Sequence, residues 1–154
     1  MAVKTKGLDR LQIKLKKFPE VAEKLVRAAM EQAADEIVAM MKRLVPVDNG
    51  DLRDSIGWTW GTAPKYSQRI GSVKSNDGKL TITIYAGNSK VRYAHLVEWG
   101  SAPHVNGGMY PGTFNPGAKA QPFFYVSWRA KRRSARARVS RAITKAAKQI
   151  AADR

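Results

Sequence analysis

Cysteine is absent from the 154 residues, so no disulfide framework, thiolate zinc site or thiol chemistry is available. Histidine is scarce, with His95 and His104 the two present. Acidic side chains are few: 12 Asp and Glu stand against 28 Lys and Arg, for a formal net charge of +16. A chain this basic is expected to meet an acidic polymer or an acidic protein surface. No apolar run approaches the roughly 20 residues that span a bilayer. The opening residues, MAVKTKGLDR, lack the apolar stretch of a secretory signal. The expectation is a soluble intracellular protein with no membrane partner. At 44% hydrophobic residues it can pack a core, and its length suits one domain over residues 1–154.

The positive charge is unevenly placed. Residues 1–50 carry a net +3, residues 51–120 a net +4 and residues 121–154 a net +9. Seven basic side chains, Arg129, Lys131, Arg132, Arg133, Arg136, Arg138 and Arg141, fall within 13 residues. Their functional reading is phosphate contact along a nucleic-acid backbone, tolerant of sequence. Their bland reading is a solvated helix face.

Apolar spacing gives the elements. Residues 1–18 form an N-terminal arm or a short helix with Leu8, Leu11 and Leu15 on one face, broken at Phe18-Pro19. Pro19 then opens a long helix. Val21, Leu25, Ala29, Ala33, Ile37, Met40, Met41 and Leu44 mark its apolar face, and Pro46 stops it. Asp48-Asn49-Gly50 reads as a turn, and Asp48 or Asp51 can cap a helical turn that buries Leu52 and Ile56. Gly57–Trp60, Gln68–Val73 and residues 79–86 read as strands, with Ser75-Asn76-Asp77-Gly78 as a hairpin turn. In the last strand Leu80, Ile82, Ile84 and Ala86 face one way, and Thr81, Thr83 and Tyr85 the other. Residues 93–99 fit a helical turn or a strand. Residues 101–120 form a long Gly/Pro-rich loop, with Met109, Tyr110 and Phe114 as apolar anchors for docking on a neighbour. Residues 121–152 form the basic C-terminal helix. The expected fold is therefore α+β: a long N-terminal helix, a small antiparallel sheet, and a long basic helix packed on one face of that sheet.

Chemical signatures are sparse. There is no nucleophile elbow, P-loop or dinucleotide fingerprint. His95 and Glu98 are three apart and could share a helical face, but a zinc site needs more ligands than this. The expectation is no enzyme, no cofactor and no metal. A hydrolase using His95 and Glu98 is the weakest of the alternatives.

Three stretches carry a resemblance. They are Val45-Pro46-Val47-Asp48-Asn49-Gly50-Asp51-Leu52-Arg53-Asp54-Ser55-Ile56, then Tyr93-Ala94-His95-Leu96-Val97-Glu98-Trp99-Gly100-Ser101, then Ala120-Gln121-Pro122-Phe123-Phe124. In this order, behind a long helix, they resemble the small neck or tail-completion proteins of tailed bacteriophages over roughly residues 20–150. The resemblance implies a structural virion protein, made in the host cytoplasm, that joins head connector to tail as a homo-oligomeric ring. Six copies are preferred to twelve. Its implied partners are itself, the head-connector and tail-tube proteins, and genomic DNA at backbone level. It also implies that Gly50, Leu52, Glu98, Trp99, Gly100, Pro122 and Phe123 are structural or interface residues. Gly50 would allow a turn and Leu52 anchor it. Glu98 could accept backbone N–H bonds or pair with an Arg of a neighbour. Gly100 would permit a chain reversal, and Pro122 start a helix beside which Phe123 packs. The alternative is a free-standing, sequence-tolerant nucleic-acid-binding protein.

Overall fold

The computed structural model describes residues 8–74 and 80–152. The elements run α1 (Leu8–Leu44), α2 (Asp51–Asp54), β1 (Gly57–Trp60), β2 (Gln68–Lys74), β3 (Thr81–Ala86), α3 (Ala94–Trp99), β4 (His104–Val105), β5 (Phe114–Asn115) and α4 (Phe124–Ala152). The class is α+β, with a long helix at each end and small antiparallel sheets between. The chain forms two compact units: residues 1–33 with 133–154, and residues 34–132.

The described residues of the first unit are helical. Val26, Ala29, Met30 and Ala33 of α1 are buried, as is Ala146 of α4. Lys14 Nζ donates to the carbonyl of Ala151 at 3.0 Å, which ties the start of α1 to the end of α4. A cation there complements the negative end of the α4 dipole. Leu11, Ile13 and Leu15 remain more than half exposed, so the expected Leu11/Leu15 face is left uncovered in a single chain.

One expectation is corrected here. The chain does not break at Phe18-Pro19, because α1 passes through Pro19 without interruption. The apolar positions keep helical spacing across the proline, and burial of Val26 through Met41 holds the helix beyond it. The predicted face is right at Ala29, Ala33, Ile37 and Met41, but Leu44 is exposed, and Val26, Met30 and Ala34 complete the buried stripe.

The second unit holds the sheet, in the order β1-β3-β2 with both pairings antiparallel. Trp58 opposes Ile84 and Trp60 opposes Ile82. Ile82, Ile84 and Ala86 are buried on the expected face of β3. Thr83, on the other face, is also buried, and its hydroxyl donates to the Gly61 carbonyl at 2.6 Å. A hydroxyl that finds a carbonyl removes the cost of covering that face. The core continues through Ile37, Met41, Val45, Leu52, Ile56, Val91, Phe123 and Phe124. The proposed turn at Ser75–Gly78 lies outside the described residues. Residues 124–132 of the C-terminal helix belong to this sheet-bearing unit, and the remainder to the first unit.

Pro19 lacks an N–H and crowds the preceding turn, at a cost of about 3 kcal/mol relative to alanine in a helix interior. Pro19→Ala should therefore stabilise the protein by about 1–3 kcal/mol. A rise in the thermal midpoint would confirm a continuous α1, and a fall would show that the proline fixes the helix path.

Candidate functional site

Residues 97–125 form the most constrained part of the second unit. Helix α3 ends at Gly100, whose N–H donates to the Leu96 carbonyl at 2.8 Å. Gly100 has φ 74, where an L side chain is strained. A Cβ there would lie 2.6 Å from the Ala118 oxygen and 2.8 Å from the Ala120 nitrogen. The glycine is thus required both by conformation and by space.

From Gly100 the chain enters a projecting hairpin. The expected loop at 101–120 is in fact paired. Ser101 and Ala118 exchange two backbone hydrogen bonds, of 2.9 and 3.1 Å. Beyond them, His104 faces Asn115 and Val105 faces Phe114 in the β4–β5 ladder. Asn106 N–H donates to Thr113 O at 2.8 Å, and Asn106 Nδ2 to Thr113 Oγ1 at 2.9 Å. Thr113 Oγ1 in turn donates to Tyr110 O at 2.8 Å, closing the tip. Gly117, at φ 78, closes the root, because a Cβ there would overlap the Ser101 carbonyl. Five glycines and three prolines in residues 100–120 disguise a hairpin whose ladder is only two residues long per strand. That is too short for alternation to show.

The apolar anchors point away from the core. Met109 is 86% exposed, Tyr110 67%, Phe114 69% and Val105 66%. Single exposed apolar residues are ordinary, but four on one short arm are a patch.

The root of this arm is held by Glu98, which is 2% exposed. Its Oε2 accepts the N–H of Phe123 at 2.8 Å and of Phe124 at 2.9 Å, and its Oε1 accepts the N–H of Tyr125 at 3.0 Å. The first N–H groups of a helix have no partner within it. Here a carboxylate from another helix supplies three acceptor contacts and places negative charge at the positive end of α4. Of the two roles expected for Glu98, the structure shows the backbone one. Gln121 N–H adds a bond to the Val97 carbonyl at 2.8 Å.

The remaining expected residues surround this clamp. Phe123 and Phe124 are buried, with ring centroids 5.9 Å apart. Pro122 is exposed beside them. Trp99 is 62% exposed, with its ring 5.3 Å from that of Tyr125. Sequence reasoning missed Ser127, which is fully buried and whose hydroxyl donates to the Phe123 carbonyl at 2.6 Å. Its helical spacing from Phe123 and Phe124 was the available signal. His95 is exposed, while both Glu98 oxygens are occupied, so the two do not form a joint site.

The first motif makes a second tight junction. Gly50 has φ 89 and precedes α2, where Leu52 is buried. No side chain caps α2, which corrects the expectation of an Asp cap. Ser55 instead knits the segment: its hydroxyl donates to the Leu52 carbonyl at 2.7 Å and accepts the Gly87 N–H at 3.1 Å.

Of the seven basic residues singled out on α4, Arg129, Arg132, Arg133, Arg136 and Arg141 are exposed, while Lys131 and Arg138 are half-buried. Arg129, Arg132, Arg133 and Arg136 follow helical i, i+3, i+4, i+7 spacing and so share one face of the helix. Among the described residues, no group of three His, Asp or Glu side chains gathers as a metal site would need.

Comparison with known proteins gives one match. The family model described as "Bacteriophage HK97-gp10, putative tail-component" matches residues 9–100, over half of the chain. It covers the long helix and both junctions up to Gly100, and it ends where the arm begins. No curated protein and no solved structure matches the chain.

Removing the Glu98 carboxylate leaves three N–H groups without their acceptor. Hydrogen bonds to charged groups are each worth about 1.5–3 kcal/mol and are not additive. Glu98→Ala should cost about 3 kcal/mol or more, and Glu98→Gln, which keeps one acceptor oxygen, about half of that. Denaturant midpoints of the two variants would check the order, and equal stability of Glu98→Ala and the parent protein would refute the clamp.

Proposed function

The chain belongs to the HK97-gp10-like family of bacteriophage tail components, and from that premise we propose that it completes the junction between head connector and tail as a closed homo-oligomeric ring. The observation that carries this reading is the arm. Residues 101–118 contain no Lys, Arg, Asp or Glu, in a chain whose net charge is +16. Two copies so strongly charged repel each other over most of their surfaces. They can approach closely where charge is missing, and there the arm offers Val105, Met109, Tyr110 and Phe114.

An arm that docks on a different surface of the next copy makes a head-to-tail contact, which closes into a ring when the rotation permits. We take six copies as the expected number. Head-connector and tail-tube proteins would flank the ring in the virion, after assembly in the host cytoplasm. The role is structural rather than enzymatic. The exposed arginines of α4 are assigned to genomic DNA or acidic protein neighbours. A free-standing nucleic-acid-binding protein would use the same arginines, but it gives no purpose to an uncharged apolar arm.

Met109, Tyr110 and Phe114 touch little of their own chain, so replacing all three with Ser should leave the fold intact. The parent protein should form one closed oligomer by mass photometry, and the triple variant should be a monomer with an unchanged thermal midpoint. An unchanged oligomer in the variant would remove the arm from the interface. A parent protein that stays monomeric with its virion neighbours, and is absent from particles by mass spectrometry, would remove the neck role.

A further inference from the structure

A second group of basic side chains lies in the sheet-bearing unit, on elements other than α4. Between Asp54 and Glu98 the sequence has six basic side chains and one acid, Asp77. Two loops at one end of the sheet, with the first residues of β2, gather four of the six. One loop carries Lys65 and Tyr66 and leads into β2, where Arg69 is the second residue. The other follows β3 and carries Lys90, Arg92 and Tyr93. The β2–β3 register sets Arg69 opposite Tyr85 and Gln68 opposite Ala86, which brings the two loops together. All six of these side chains are exposed.

The loops are built rather than slack. Ser67 Oγ donates to Pro64 O at 2.6 Å. Asn88 Oδ1 accepts the N–H of Lys90 at 2.9 Å and of Val91 at 3.0 Å, a side-chain-closed turn. The loops meet where the Arg92 guanidinium lies over the Tyr66 ring, 4.1 Å from its centroid. Tyr66 has φ 65, and among the described residues it is the one non-glycine at positive φ. A left-handed conformation costs an L residue about 1–2 kcal/mol. That strain sets an exposed aromatic ring beneath a cation. Arg92 Nε donates to the Ser89 carbonyl at 3.0 Å, which fixes the guanidinium.

We propose that these loops form a contact surface for the phosphate backbone of nucleic acid, distinct from the arginines of α4. The chemistry is that of backbone binding: exposed cations, with Arg92 held in place and no acid in either loop, beside tyrosine rings that a sugar or base can cover. The surface reads no sequence, because it offers no element that fits a groove. This deepens the neck reading by giving the threaded genome a second contact, and it rests on that reading only for which nucleic acid is met.

The test is fluorescence anisotropy of the purified full-length protein with a labelled duplex of about 20 base pairs, from about 50 to 200 mM salt. Two variants are compared. Lys65→Ala/Arg69→Ala/Lys90→Ala/Arg92→Ala removes the cations. Arg69→Glu/Lys90→Glu leaves the Arg92–Tyr66 stack intact, so it guards against a local folding defect. Both should weaken binding at least about tenfold, and the fourfold variant should lower the salt slope by about three to four. The oligomer mass should not change. Binding like the parent protein in either variant overturns the proposal, as does equal competition by polyglutamate, which would assign the surface to an acidic protein. Neither result touches the neck reading, which is decided by the oligomeric state of the protein and its presence in the particle.

Discussion

One carboxylate organises the part of the molecule that faces outward. Glu98 takes up the first N–H groups of α4 and so joins α3, the root of the arm and the start of the C-terminal helix. Without it, those donors would be covered by Phe123 and Phe124 with nothing to accept them. With it, residues 97–101 and 118–125 are held as one piece, and the Ser101–Ala118 pairing projects the hairpin from a fixed base. Gly100 and Gly117 make that base possible, because neither position has room for a Cβ. The direction of the arm is therefore set by hydrogen bonds at its root, whereas its tip stays free to bury apolar surface elsewhere.

Charge and apolarity are separated in this chain. Basic side chains occupy the exposed face of α4 and the loops beside β2 and β3. The arm carries none. This division suits the two kinds of contact proposed for the molecule: short-range apolar contact through the arm, and salt-sensitive contact through the cations. A ring of such copies concentrates positive charge, and a threaded polyanion or acidic neighbours would relieve it.

Much of this was legible in sequence, for identifiable reasons. The buried stripe of α1 and the alternation in β3 are long enough for periodicity to show, so the α+β class and most of the core could be read directly. Glu98 stood out through its place in the second motif, where the resemblance implied backbone N–H acceptance or pairing with an Arg of a neighbour. Its three donors did not, since they lie 25 to 27 positions away. Pro19 misled because a proline lowers helix propensity without forbidding a helix, and the residues on both sides of it keep helical spacing. The hairpin was hidden because two-residue strands leave no pattern and turn residues dominate. Tyr66 was invisible for a similar reason: nothing in Lys65-Tyr66-Ser67 announces a left-handed backbone, and its partner Arg92 is contributed by another loop.

The proposed assembly depends on the arm as the contact between copies of a basic protein. The most direct measurement is electron cryomicroscopy of intact particles at the head–tail junction. It should show this chain as a closed ring there, with residues 105–114 of each copy buried against the next. Junction density without this chain, or a ring whose arms project into solvent, would contradict it.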